Sequence, residues 1–197
     1  MNLIIQGSEI INRDLRQLAK LAGASRIEQI TPEAFRLREA QVHEGIAEYC
    51  EKAKLDFAFI PENLKLSDFG LLAMDMDSTL IVIECIDELA DMQGIKKEVS
   101  QITASSVRGE IEFADSVRRR VALLAGLNES ALQEVYDERL RLSPGAEKML
   151  AGLKAAEVKT LLITSGFTFF AERLNKRLGL DYTCSNTLEI VDGKLSG

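Results

Sequence analysis

Histidine is almost absent: His43 is the single one in 197 residues. That leaves little room for a histidine-rich metal site or a Ser-His-Asp triad. Cysteine is scarce and odd in number. Cys50, Cys85 and Cys184 show no metal-ligand spacing and read as reduced thiols of a reducing compartment. No apolar run reaches the roughly 18 residues of a membrane span. The opening MNLIIQGSEIINRDL has no basic stretch before its apolar one and no secretory cleavage pattern, so the expected home is cytoplasmic, with no membrane partner. Basic residues are outnumbered, 24 Lys+Arg against 31 Asp+Glu, giving a net charge of −7. The chain thus lacks the electrostatic footprint of a nucleic-acid binder. Repeats, low-complexity segments and long linkers are also missing.

What remains is an ordinary globular composition, 46% hydrophobic and 28% charged. At about 150 residues per domain, the length suits one domain with a small companion. The first 66 residues form a pattern of their own. Leu3-Ile4-Ile5 reads as a strand, Asn12 to Leu21 as a helix stopped by Gly23, and Arg26–Ile30 with Phe35–Val42 as two strands around Thr31-Pro32-Glu33. His43–Ala53 reads as a helix and Leu55–Ile60 as a strand closed by Pro61. The order βαββαβ predicts a small ferredoxin-like α+β module. In pattern it resembles the ACT-type modules of amino-acid metabolism, and a plain packing or dimerisation module stands beside that reading.

Leu64–Gly70 reads as a connector. Leu71–Met74 follows as an apolar strand, Glu84 to about Leu142 as helical, Ala146–Ala155 as a helix, Val158–Ile163 as a strand ending at Thr164-Ser165-Gly166, Phe169–Leu178 as a helix and Asn186–Ser196 as a hairpin around Asp192-Gly193. This predicts an α/β core, 71–83 and 143–197, with a helical cap, 84–142, inserted after its first strand.

Asp75 and Asp77 stand two apart at the carboxyl end of that strand, where open α/β sheets bind ligands. Asp75, Asp77, Glu84, Asp87, Glu88 and Asp91 follow one another with no Lys or Arg between them. Crowded carboxylates need an offsetting cation, and an oxygen-only set favours Mg²⁺. A carboxylate can attack phosphorus, and a second can serve as general acid and base. Two plain surface acids at a strand end would show the same spacing.

The segments DMDST and DMDSTLIVIECIDELA, with RGEIEFADSVRRRVALL, PGAEKML, SGFTFF and NTLEIVDGKLSG, resemble in order the phosphoserine phosphatases of the haloacid dehalogenase superfamily. The similarity runs without large gaps from about Leu71 to Gly197. It implies a small-molecule substrate, phosphoserine, and the cofactor Mg²⁺; a sister phosphatase for another small phosphomonoester and a non-catalytic amino-acid-binding or regulatory fragment stand as alternatives. It implies Asp75 as nucleophile, Asp77 as general acid/base, and Mg²⁺ held by the Asp75 carboxylate and the Asp77 backbone carbonyl. It places Glu84 at the substrate ammonium, Arg120 at the substrate carboxylate and Phe113 on the cap's apolar wall. Glu84 also reads as a helix-start acid, and at least one of Arg118, Arg119 and Arg120 as a solvated charge.

The chain departs from the family in two places. The family's Ser-Gly-Gly-Phe is Thr164-Ser165-Gly166-Phe167 here. Anchoring on FTFF puts Thr164 at the phosphate-contacting hydroxyl and Ser165 at the first glycine; a one-residue shift would make Ser165 the hydroxyl. After Gly166 nothing supplies the family's phosphate-clamping Lys or its later acidic pair, so the core is expected to be incomplete. That would leave Leu71–Met74 as an apolar edge, with a homodimer or poor solubility, weak Mg²⁺ affinity and low turnover as its consequences.

Overall fold

The computed structural model describes every residue from Met1 to Gly197 and divides into two units, Met1–Asp68 and Phe69–Gly197. In the first, β1 (Asn2–Gln6), α1 (Asn12–Ala22), β2 (Arg26–Thr31), β3 (Ala34–Arg38), α2 (Gly45–Ala53) and β4 (Asp56–Ile60) follow in order. The sheet is antiparallel throughout, in the order β2-β3-β1-β4. Strand alternation turns Leu3, Ile5 and Leu37 to one face. There they are fully buried with Leu15 and Leu18 of α1 and Ile46 of α2. The Tyr49 hydroxyl donates to Asp14 across the two helices at 2.8 Å. Gly23, at φ 60°, ends α1 in a left-handed cap that a Cβ would strain. The second strand of the predicted pair is shorter than its apolar pattern: β3 stops at Arg38, because Glu39 turns the chain at φ 57°.

The second unit opens with β5 (Leu71–Met74) and a tight turn over Met76–Leu80. Four helices come next: α3 (Cys85–Met92), α4 (Lys96–Val107), α5 (Phe113–Leu123) and α6 (Ser130–Glu134). Then come α7 (Ala146–Ala155), β6 (Lys159–Phe167), α8 (Thr168–Leu178), β7 (Tyr182–Asn186) and a two-residue hairpin, β8 (Ile190–Val191) and β9 (Lys194–Leu195). Asp192 and Gly193 both take positive φ, as a tight hairpin turn requires. β5, β6 and β7 form a parallel sheet in that order, so β5 is an edge strand.

Two features differ from the pattern reading. β6 does not stop at the Thr164-Ser165-Gly166 turn but runs on to Phe167, which pairs with Asn186. β7 carries YTCSN, too polar to announce a strand; its partner β6 imposes the pairing.

The sheet has one covered face. Leu72, Met74 and Leu162 point into a core built with Phe170, Ala171 and Leu174 of α8 and Leu89, Val99 and Leu124 of the helical insertion. On the other face lie Leu71, Ala73, Leu161, Ile163, Tyr182 and Cys184, and Leu71, Ile163 and Tyr182 are about half exposed. Parallel sheets are ordinarily buried on both faces. No helix is long and apolar enough to cross a membrane.

This asymmetry predicts opposite costs for neighbouring residues of one strand. Leu162→Ala should lower unfolding stability by about 2–5 kcal/mol. Ile163→Ala, on the bare face, should cost under about 1 kcal/mol. Urea unfolding of the two variants checks this, and equal losses would show the second face to be covered.

Candidate active site

Asp75 leaves β5 with extended backbone, and its Oδ1 accepts the N–H of Met76 at 2.7 Å. The turn then folds back on itself: Ile81 N–H donates to Met76 O at 3.0 Å and Ser78 N–H to Ile83 O at 3.1 Å. Ser78 pays for this fold with a φ of +51°. The fold brings Asp77 under the start of α3, where its Oδ1 accepts the backbone N–H of Cys85 at 2.9 Å. From the same turn the Ser78 hydroxyl donates to Glu84 Oε1 at 2.7 Å.

Gly166, beyond the middle of β6, faces Asp77. A Cβ there would lie 2.6 Å from Asp77 Oδ2 and 2.7 Å from Met76 Cε, so no side chain fits. Its N–H donates to Thr164 Oγ1 at 2.9 Å, which leaves the threonine hydroxyl proton free to point elsewhere. Ser165 accepts the Asn186 side-chain amide at its carbonyl, 2.8 Å away.

The six acids of the acidic run do not act together. Glu88 and Asp91 are taken by Arg139, and Glu88 also by Lys96. Asp75, Asp77, Glu84 and Asp87 have no basic partner within 4.0 Å. Burial lifts the carboxyl of Asp77 to about 6; the Cys85 N–H opposes the shift, and the nearby charges of Glu84 and Asp75 add to it. Burial likewise raises Asp87, against the opposing charges of Lys96 and Arg120, neither of which lies within 4.0 Å of it.

Arg120, in the last turn of α5, is only 8% exposed, yet it has no carboxylate within 4.0 Å. Its one hydrogen bond is a 3.4 Å contact to the carbonyl of Ser116. A small pocket is lined by Asp77, Glu84 and Arg120 with Ser165, Gly166 and Phe167, and Ile86 and Val117 add apolar wall.

Of the candidates from the sequence, Asp77, Glu84, Arg120 and Ser165 therefore meet around one pocket. Asp75 sits next to it at the strand end and is exposed. Thr164 is buried behind Gly166. Phe113, 59% exposed, is not in the lining, although it precedes Val117 and Arg120 by one and two helical turns. The pattern reading missed Ser78, the Cys85 N–H and Val117. Only Val117 had a signal, the 113/117/120 spacing of one helix face.

No three His, Cys, Asp or Glu side chains gather as a complete metal site. The donors present still suit a hard cation in part. They are oxygens only, and Asp75 and Asp77 carry negative charge that no Lys or Arg offsets. They offer some ligands of a Mg²⁺ shell rather than a closed set.

The raised carboxyl of Asp77 sets a pH dependence of stability. Its folded pKa, about 6, lies above the ordinary carboxyl value of 3.8, so the folded state holds the proton more tightly. Its contribution is full below about pH 4 and is lost as pH rises through 6. Asp77→Asn should remove roughly 2 kcal/mol of this dependence and make the metal-free protein more stable than wild type at pH 7. Thermal melts from pH 4 to 7 check it; parallel curves for the two proteins would contradict it.

Comparison with known proteins identifies the family of the second unit. Residues 69–195 match the family model described as haloacid dehalogenase-like hydrolase. Residues 3–46 match a domain of unknown function, DUF4072. A phosphoserine phosphatase of Polaromonas sp. strain JS666 is 54% identical over 136 residues, 68% of this chain and 58% of that protein. One of Haemophilus influenzae is 43% identical over 161 residues, 82% of this chain and 51% of that protein. The chain thus spans little more than half the length of these relatives. Among solved structures, an HAD family hydrolase of Salmonella enterica serovar Typhi aligns with a TM-score of 0.80 at 29% identity, over 99% of this chain and 70% of that one. A probable phosphoserine phosphatase of Vibrio cholerae, unliganded, aligns at 0.76 and 33% identity, over 99% and 61%. With most of its length under the family model, and with two carboxylates at the end of a parallel strand beneath a helical insertion, the chain belongs to the haloacid dehalogenase-like hydrolases.

Proposed function

We propose that the second unit is the front part of a phosphoserine phosphatase, which hydrolyses O-phospho-L-serine to L-serine and phosphate in cytoplasmic serine biosynthesis. The observation that carries this reading is Arg120. A buried guanidinium with no carboxylate within 4.0 Å, lining one pocket with Glu84, suits a zwitterion: carboxylate to Arg120, ammonium to Glu84. Phosphomonoesters without an amino-acid head would offer neither charge an ionic partner.

In this reading Asp75 attacks phosphorus through a carboxylate oxygen. A P–O bond forms to Asp75, and the bond to the serine oxygen breaks. Asp77 gives its proton to that leaving oxygen, a role suited to a carboxyl held near pH 6. It then takes a proton from the water that attacks the phosphoaspartate, and phosphate leaves with the Asp75 carboxylate restored. Thr164, its Oγ1 already accepting from Gly166, donates its hydroxyl to a phosphate oxygen. Ser165 lines the substrate side, and Phe113, exposed on α5 one helical turn before Val117 and outside the pocket lining, is proposed as an apolar wall at its outer end. Mg²⁺ would be held by the Asp75 carboxylate and the Asp77 backbone carbonyl and, when bound, would offset the charge of the phosphoryl group.

The finer architecture belongs to the same proposal: an N-terminal module over 1–66, a core over 71–83 and 143–197, and a cap over 84–142. The βαββαβ order and the β2-β3-β1-β4 sheet support a ferredoxin-like, ACT-type module. The bare sheet face and the open β5 edge support a core that is incomplete in this chain, and a homodimer as one way of covering it. The lack of any Lys or Arg beside Asp75 and Asp77 supports slow turnover.

Mixing the protein with ³²P-labelled phosphoserine and Mg²⁺, then quenching in acid, tests the reading. The label should stay on the protein, be released by hydroxylamine and be absent from Asp75→Asn. No label, or label surviving that substitution, would overturn it.

A further inference from the structure

Glu84 stands at the N-cap position of α3, yet its side chain makes no capping bond. Asp77 takes that place: its Oδ1 accepts the N–H of Cys85, the first residue of the helix. The Glu84 carboxylate is thereby left free of the helix, and no Lys or Arg lies within 4.0 Å of it. Its one hydrogen bond comes from the Ser78 hydroxyl, 2.7 Å from Oε1, so Oε2 has no partner. Both side chains are exposed. Without that bond a long flexible carboxylate would range through solvent; with it, Glu84 is held beside the pocket that it lines with Arg120.

Serine is a costly residue for this place. Its φ of +51° lies in the left-handed region, which glycine enters without strain. The turn is also tied to the residue before Glu84, by the Ser78 N–H to the Ile83 carbonyl at 3.1 Å, but a backbone donor of almost any residue would supply that tie. The hydroxyl is what serine adds. Backbone strain of this kind gathers at functional sites, where it fixes geometry.

We propose that Ser78 is a positioning residue, whose hydroxyl holds the Glu84 carboxylate ready for the ammonium group of an amino-acid substrate. This rests on the phosphoserine reading above. The bond acts before the ligand arrives, by removing freedom that Glu84 would otherwise lose on meeting it.

Calorimetric titration of the 197-residue protein tests this, with L-phosphoserine and with 3-phosphoglycerate, which carries a hydroxyl in place of the ammonium. Wild type should prefer phosphoserine. Ser78→Ala keeps the Cβ and the strained φ and removes only the hydroxyl. It should bind phosphoserine roughly three- to tenfold more weakly, and 3-phosphoglycerate within about twofold of wild type. In a Glu84→Ala background the same substitution should change phosphoserine affinity by less than about twofold, because the group it positions is gone. Ser78→Gly, relieved of the strain, should lose as much as Ser78→Ala. Unchanged phosphoserine affinity in Ser78→Ala, equal weakening of both ligands, a full loss persisting in the Glu84→Ala background, or wild-type affinity in Ser78→Gly would each overturn the positioning role and leave the phosphoserine reading standing. A wild type that binds neither ligand, or both equally, overturns the two together.

Discussion

A guanidinium folded into the protein with no carboxylate in salt-bridge contact is the constraint on which the site depends. Removing a charge from water is costly unless something answers it. Around Arg120 the protein provides only partial answers. The residue lies in the last turn of α5, where the negative end of the helix dipole favours a cation, and it contacts one carbonyl, that of Ser116. Arg120 lines the pocket with no carboxylate within 4.0 Å, and the charge of Asp87 on α3 answers it from farther off. A ligand carboxylate placed there would meet a planar donor already partly stripped of water.

The strand-end geometry supplies the other half. Asp75 stays at the mouth, bonded only to the next N–H, so its second oxygen is free. Asp77 is drawn inward by the strained Ser78 turn and held against Gly166 by the Cys85 N–H. Two carboxylates two residues apart thereby acquire different environments. One is exposed; the other is half-buried and holds its proton to about pH 6. Separation of this kind lets one act as a nucleophile while the other moves protons.

Much of this was legible in the chain. The helices announced themselves through apolar spacing and glycine stops, and α7 spans the Ala146–Ala155 segment that its pattern predicts. The apolar run LLAM followed by two acids marked a strand end, and DMDST with the segments after it carried the family resemblance. Elements whose order comes from partners were not legible. β7 is polar and exists through its pairing with β6, and β6 outruns its apolar run because Asn186 offers it a partner at Phe167. The site was less legible than the fold. Backbone donors such as the Cys85 N–H leave no mark in composition. The division of the acidic run into ion-paired Glu88 and Asp91 and unpaired Asp75, Asp77 and Glu84 depends on where Arg139 returns from a turn some fifty residues on.

The account is tested most directly by the affinity of L-phosphoserine for wild type and for Arg120→Gln, measured beside glycerol phosphate, which has neither a carboxylate nor an ammonium. Phosphoserine should bind Arg120→Gln at least about 30-fold more weakly, while glycerol phosphate binds both proteins alike. Equal phosphoserine affinity in the two proteins would contradict the assignment of this pocket to an amino-acid head.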